Sequence, residues 1–159
     1  MNADPLNDDL RTLYQDIILD HGKHPRNFRV VEHHTCKAQG NNPMCGDRVN
    51  VTARLADGKI ADVAFEGKGC AISIASASMM TEALKDQTPD AARMLAHAVR
   101  DICTGKDVQL ADPALALHME KLAALSGVRQ FPVRVKCATL PWHALVSCLE
   151  DKAQATTEK

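Results

Sequence analysis

The stretch from Arg48 to Glu66 limits the possible folds more than any other segment. Val49, Val51, Ala53 and Leu55 alternate with other residues, Asp57-Gly58 interrupts them, and Ala61, Val63 and Phe65 resume the alternation. A period of two puts successive side chains on opposite faces of a strand, and Asp-Gly supplies the positive φ angles that a two-residue hairpin turn needs. Arg48 to Ala56 and Lys59 to Glu66 therefore form an antiparallel hairpin with one buried face. His34 to Gly40 supplies a third strand, leading into the turn that holds Cys45.

That buried face needs cover, and the rest of the chain reads as helices. Asp8 to Asp20 places Leu10, Leu13, Tyr14, Ile17 and Ile18 on one helical face, expected to pack on the sheet; Gly22 and Pro25 end it. Ala71 to Lys85 is rich in Ala, Ser and Met, small enough for a helix to lie close to strands. Thr88-Pro89-Asp90 caps a helix that Gly105 closes, and Asp112-Pro113 opens another that Gly127 closes. Val135 to about Lys152 carries Leu140, Ala144, Leu145, Cys148 and Leu149 on one stripe. Proline lacks an amide hydrogen, so Pro141 is expected in the first turn, with this helix starting near Cys137 or shortly after it. Helix, strands, then helices make an α+β fold: a small three-stranded antiparallel sheet packed against about five helices. With no repeat and no linker, residues 1–159 read as one domain with an ordered core of about 8–152; the tail from Ala153 is polar and expected to fray.

A chain of 159 residues can bury a core without staples, so a bound metal is expected to serve function rather than folding. Nineteen Lys and Arg stand against 20 Asp and Glu, with no long basic stretch, which argues against nucleic acid as a partner. The polar, acidic start Met1-Asn2-Ala3-Asp4-Pro5 lacks a secretory pattern, and no apolar run approaches membrane-spanning length. The reading is a soluble, cytoplasmic protein whose six cysteines stay reduced, so that metal binding or sulfur chemistry outranks disulfides.

The cysteines divide by context. Cys45 lies in Asn42-Pro43-Met44-Cys45-Gly46-Asp47, Cys70 in Gly67-Lys68-Gly69-Cys70, and Cys137 in Arg134-Val135-Lys136-Cys137. All three are expected at element boundaries, where sulfur can be exposed and loops can converge. Cys103 continues the stripe of Leu95, Val99 and Ile102, and Cys148 that of Ala144 and Leu145, so both read as core. Cys36, in the first strand nine residues before Cys45, reads either way. Asp47 is a turn residue capping nearby amides or, in this cysteine context, a fourth ligand. Three soft thiolates and one hard carboxylate suit a four-coordinate zinc, or an iron-sulfur unit with one labile ligand. The seven histidines show no metal-ligand spacing; His33 and His34 are adjacent and would face opposite ways on a strand. The run from His21 to Arg26, with His24, is a partner or anion contact, or a plain helix-terminating loop.

These motifs, together with Ala71-Ile72-Ser73, Ala75-Ser76-Ala77-Ser78-Met79-Met80, Ala138-Thr139-Leu140 and Trp142, resemble the NifU-N/IscU-like iron-sulfur assembly proteins, and within them the SufU branch. The resemblance runs from about Leu10 to Leu149 and includes the segment His21 to Asn27. Scaffold members of that group place a histidine immediately before the third cysteine, where this chain has Lys136, and have a shorter stretch between the second and third cysteines. Here Cys70 and Cys137 are 67 positions apart, room for an additional helix from Asp112 to Ser126. A protonated lysine is a poor ligand, so the site has one nitrogen donor fewer than a scaffold site.

The resemblance implies a zinc-dependent persulfide sulfur acceptor, a sulfurtransferase-like partner rather than a stand-alone enzyme. Cys45, Asp47, Cys70 and Cys137 would hold zinc, and a SufS-type cysteine desulfurase would pass its sulfur to Cys45, with downstream SUF assembly proteins as later partners. A histidine from the desulfurase is expected to replace Cys45 at the metal. Arg134 and Lys136, beside Cys137, and His24 and Arg26 are candidate partner contacts, although solvated roles suit them as well. The alternative is a scaffold on which a transient [2Fe-2S] cluster forms on the same four ligands.

Overall fold

The computed structural model describes the backbone of residues 5–151 and 154–156. The chain runs α1 (Pro5–Lys23), β1 (Cys36–Asn42), β2 (Asp47–Ala56), β3 (Lys59–Lys68), α2 (Ala71–Leu84), α3 (Pro89–Cys103) and α4 (Pro113–Leu122). A 3-10 segment (Ala123–Gln130), α5 (Pro132–Leu149) and β4 (Gln154–Thr156) follow. The hairpin forms where alternation places it, with Asp57 and Gly58 at φ 55° and 75° in its turn. A bulge pairs Arg54 with Asp62 and Leu55 with Ile60, so Ala61 drops out of register and Ile60 is buried in its place. Val49, Val51, Ala53, Val63 and Phe65 fill the inner face. The opposed pair Thr52 and Ala64 is buried as well, because the segment after α1 crosses the outer face there, with the Val31 amide donating to Thr52 Oγ1 at 3.0 Å.

The sheet order is β3-β2-β1-β4: three antiparallel strands, as the periodicity requires, plus a short fourth. β4 pairs parallel with β1, Gln39 opposite Gln154, so residues 154–156 are ordered strand rather than frayed tail. α5 crosses β1 and β2, and α2 lies beside it against β3. α1 sits in a second layer, mainly on α2 and the 3-10 segment, because α2 already occupies the sheet. Tyr14, Ile17 and Ile18 meet the core, whereas Leu10 and Leu13 are exposed, contrary to the single buried stripe expected. Among the described residues no helix is long and apolar enough to cross a membrane.

Three other expectations fail for identifiable reasons. α4 ends at Leu122, and the chain tightens into the 3-10 segment through Gly127, which does not adopt the positive φ that terminates a helix. α5 begins at Pro132, so Cys137 lies inside it and Pro141 falls in its interior. Pro141 deprives the Cys137 carbonyl of its helical donor, and α2 supplies a substitute: Ser73 Oγ lies 3.1 Å from Cys137 O, and Ser76 Oγ donates to Ala138 O at 2.5 Å. The cysteines are not all reduced either: Cys36, opening β1, is disulfide-bonded to Cys148, near the end of α5. Packing of α5 on β1 brings their Cα atoms to 5.3 Å although 112 positions separate them in sequence. Cys103 is core, as its stripe predicts.

A buried histidine, His21, and a half-buried one, His143, make folding sensitive to acid. His21 Nδ1 is 2.7 Å from Ser78 Oγ, which also accepts from the Arg26 amide at 2.9 Å, and Glu82 lies 3.6 Å from His21 Nε2. Burial, then the Arg26 charge, holds His21 below its ordinary pKa against the opposing pull of Glu82 and Asp20; burial, then Arg100, does the same to His143. Below about pH 6.5 the unfolded chain takes up these protons more readily than the folded one, so stability falls as pH falls. Urea midpoints are expected to drop between about pH 7.5 and about pH 5.5, and to drop less when His21 and His143 are both replaced by Gln.

Candidate metal centre

The three cysteine motifs converge at the end of the sheet opposite the Asp57-Gly58 turn. β1 ends at Asn42, which pairs with Asp47, the first residue of β2. The intervening turn is built by Asn42: its carbonyl accepts the Cys45 and Gly46 amides at 3.2 and 2.8 Å, and its side-chain oxygen accepts the Met44 amide at 3.2 Å. Gly46 takes φ +71°, a left-handed conformation that glycine adopts without a Cβ penalty. Cys45 is thereby left exposed at the turn.

Asp47 is buried and doubly held. Its Oδ1 accepts the Cys70 amide at 3.0 Å, and its Oδ2 accepts Ser73 Oγ at 2.8 Å. Cys70 is the N-cap of α2 and has no capping side chain of its own, so the Asp47 carboxylate takes that part from across the sheet end. The approach is close enough that a Cβ on Gly69 would stand 2.7 Å from Asp47 Oδ1, which explains the glycine before Cys70.

Cys45, Asp47 and Cys137 offer ligand atoms that all lie within 4.8 Å of one another. Cys45 Sγ and Cys137 Sγ are 3.7 Å apart, and Cys70 Sγ is 3.8 Å from Asp47 Oδ2. A tetrahedral zinc with Zn–S near 2.3 Å spaces its sulfurs about 3.8 Å apart, so the donor types and the Cys45–Cys137 separation fit that ion. Cys70, exposed at its helix end, stands outside the tight set of three and adjoins it at Asp47 and Cys137. Burial pushes the Cys137 thiol well above its ordinary range, and its contacts with Asp47, Cys70 and Cys45 push it further; a bound cation would oppose both effects.

The remaining candidates lie outside this set. Arg134 is exposed, its guanidinium stacked 4.7 Å above the Phe131 ring, and Lys136 is half-buried one residue before Cys137. Arg26 is engaged by Asp20 at 2.6 Å and by the His24 carbonyl at 3.1 Å, while His24 itself is exposed. His33 and His34 are exposed and take no part in the cluster. Sequence reasoning missed Asn42, whose Nδ2 is 3.8 Å from Cys137 Sγ, and Ser73. The signal for Ser73 was its place one helical turn after Cys70.

Known proteins place this geometry in context. The NifU-like N terminal domain matches residues 13–138. The zinc-dependent sulfurtransferase SufU of Bacillus subtilis (strain 168) is 42% identical over 139 residues, covering 87% of this chain and 90% of that protein. The iron-sulfur cluster assembly scaffold protein IscU of Streptococcus pyogenes serotype M1 is 36% identical over 146 residues, covering 92% and 88%. A crystal structure from Fervidobacterium islandicum AW-1, assigned to iron-sulfur cluster assembly scaffolding in the SUF system, superimposes with a TM-score of 0.77 at 30% identity, covering 87% of this chain and 98% of that one. By domain match, identity and fold together, the chain belongs to the NifU-like N-terminal domain family of iron-sulfur cluster assembly proteins.

Proposed function

We propose that this protein is a zinc-dependent sulfur acceptor of iron-sulfur cluster assembly, with Cys45, Asp47, Cys70 and Cys137 as the metal ligands and Cys45 as the accepting thiol. One observation carries the reading: an exposed cysteine on a turn, 3.7 Å from a buried cysteine, beside a carboxylate anchored from two sides. The name and 42% identity of the Bacillus subtilis relative support it. Bound zinc would supply a redox-inert positive charge that keeps thiols deprotonated at neutral pH.

The chemistry belongs to Cys45. Its thiolate attacks the terminal sulfur of a persulfide on the cysteine of a SufS-type desulfurase. A Cys45 Sγ–S bond forms, the desulfurase S–S bond breaks, and the desulfurase sulfur leaves as thiolate, so no electrons are gained or lost overall. Cys137 is unsuited to this step because it is buried within α5; Cys45 has the access. Downstream SUF assembly proteins would take the sulfur on, in the cytoplasm. Lys136, standing where a scaffold protein has a histidine, weighs against cluster building on these ligands.

The test is to incubate zinc-loaded protein with the desulfurase and cysteine, alkylate, and map sulfur by peptide mass spectrometry. One added sulfur on the Cys45 peptide, with faster alanine release by the desulfurase, is the expected result. Protein that stays free of sulfur, yet after anaerobic reconstitution absorbs visible light and passes a cluster to an apo-acceptor, overturns it in favour of the [2Fe-2S] scaffold.

A further inference from the structure

We infer that Ser73 is a positioning residue of the metal centre, one that locks Asp47 and Cys137 into a fixed pair beside a movable Cys45; this rests on the zinc reading above. Ser73 is fully buried on the first turn of α2, and its hydroxyl faces two acceptors, Asp47 Oδ2 at 2.8 Å and the Cys137 carbonyl at 3.1 Å. A hydroxyl has one proton, so the two acceptors share it. Both acceptors are there for structural reasons that do not involve each other. Asp47 is drawn to the α2 N-terminus, where it accepts the Cys70 amide, and the Cys137 carbonyl is open because Pro141 cannot supply the helical donor. Ser73 thus connects a ligand carboxylate on β2 to the backbone of a ligand cysteine on α5.

The same contacts separate the ligands by freedom of movement. Asp47 is held at both oxygens, and Cys137 is held through its carbonyl and by Asn42 Nδ2 at 3.8 Å from its sulfur. Cys45 is exposed, and the turn that carries it is held by Asn42 through bonds that do not use its thiol. Of the four proposed ligands, Asp47 and Cys137 stay fixed so that Cys45 can leave and return without the site collapsing. Groups that orient metal ligands typically govern affinity by about 10–100-fold.

The experiment compares wild type with Ser73→Ala, Ser73→Thr and the double variant Ser73→Ala/Pro141→Ala. Zinc affinity is read by chelator competition and ligand geometry by the cobalt(II) spectrum, with thermal melts of the metal-free proteins as a folding control. Ser73→Ala is expected to bind zinc about 10–100-fold more weakly with an altered cobalt spectrum, and Ser73→Thr, which keeps the hydroxyl, to recover most of the loss. Adding Pro141→Ala returns a helical donor to the Cys137 carbonyl, so the double variant is expected to recover part of the loss, and a loss that persists undiminished assigns the effect to Asp47 alone and overturns the link. Wild-type affinity and spectrum in Ser73→Ala, or full recovery in the double variant, overturn the link between the two ligands. Absence of zinc binding by wild type instead sinks the zinc reading itself.

Discussion

Cys45→Ser is expected to lower sulfur uptake from the desulfurase by about three orders of magnitude or more while leaving the metal-free fold intact. A serine hydroxyl is neutral at physiological pH and far less nucleophilic towards sulfur, so the attacking group is lost outright. The fold tolerates the change because Cys45 is exposed and the turn around it is held by Asn42 and Gly46 backbone contacts, none of which needs the thiol. Exposed substitutions of this kind stay within about 0.5 kcal/mol, or about 2 °C in Tm for a chain of this size. Persulfide mapping and thermal melts of the metal-free protein check the two halves separately. Cys70 is the instructive control, since it is also exposed and near the site. Sulfur found on Cys70 of Cys45→Ser at the wild-type rate would remove Cys45 from the role of acceptor.

Reduction of the Cys36–Cys148 disulfide is expected to cost about 2–5 kcal/mol of stability, the range for a cross-link closing a loop of about a hundred residues. At about 2–4 °C per kcal/mol, the melting temperature should fall by roughly 4–20 °C. The bond ties the first residue of β1 to the last turn of α5, two elements that at their other ends carry the Asn42 turn and Cys137. Both sulfurs are buried, so the reduced pair leaves two thiols in the core without restoring any lost contact. Melts with and without reductant measure the effect, and Cys36→Ala should melt at one temperature in both conditions. Alkylation of denatured, unreduced protein should label four of the six cysteines, those other than Cys36 and Cys148. Six labelled thiols, or a wild-type melt indifferent to reductant, would show the pair to be open.

Much of the architecture could be read without coordinates because it is written in near neighbours. The alternation on either side of Asp57-Gly58 specifies the hairpin, and Thr88 and Asp112 cap the helices they were assigned, accepting the Ala91 and Ala114 amides. Of the candidate ligands, Cys45, Asp47 and Cys137 meet directly, and Cys70 adjoins them. Motif order and the glycines beside Cys45 and Cys70 pointed to that meeting, because those glycines are needed for the chain to turn and approach closely there. The errors have a common form: the place of α1 in the layers, the burial of Ile60 in place of Ala61, and the path of the chain through Gly127 all depend on which surfaces other elements have already taken.

The sequence by itself determined the three antiparallel strands, the capped starts of α3 and α4 and the identity of the sulfur and carboxylate donors, since each follows from residues within a turn or two of one another. Tertiary structure alone decided that Pro141 sits inside a helix, that Cys36 finds Cys148, and that Ser73 stands between Asp47 and Cys137. Ser73 and Cys137 are 64 positions apart, Asn42 and Cys137 are 95, and the disulfide spans 112. A periodicity argument treats an interior proline as a helix breaker because it counts only the donor that proline lacks. Packing can supply that donor from another helix, and here the hydroxyl that does so also holds the Asp47 carboxylate.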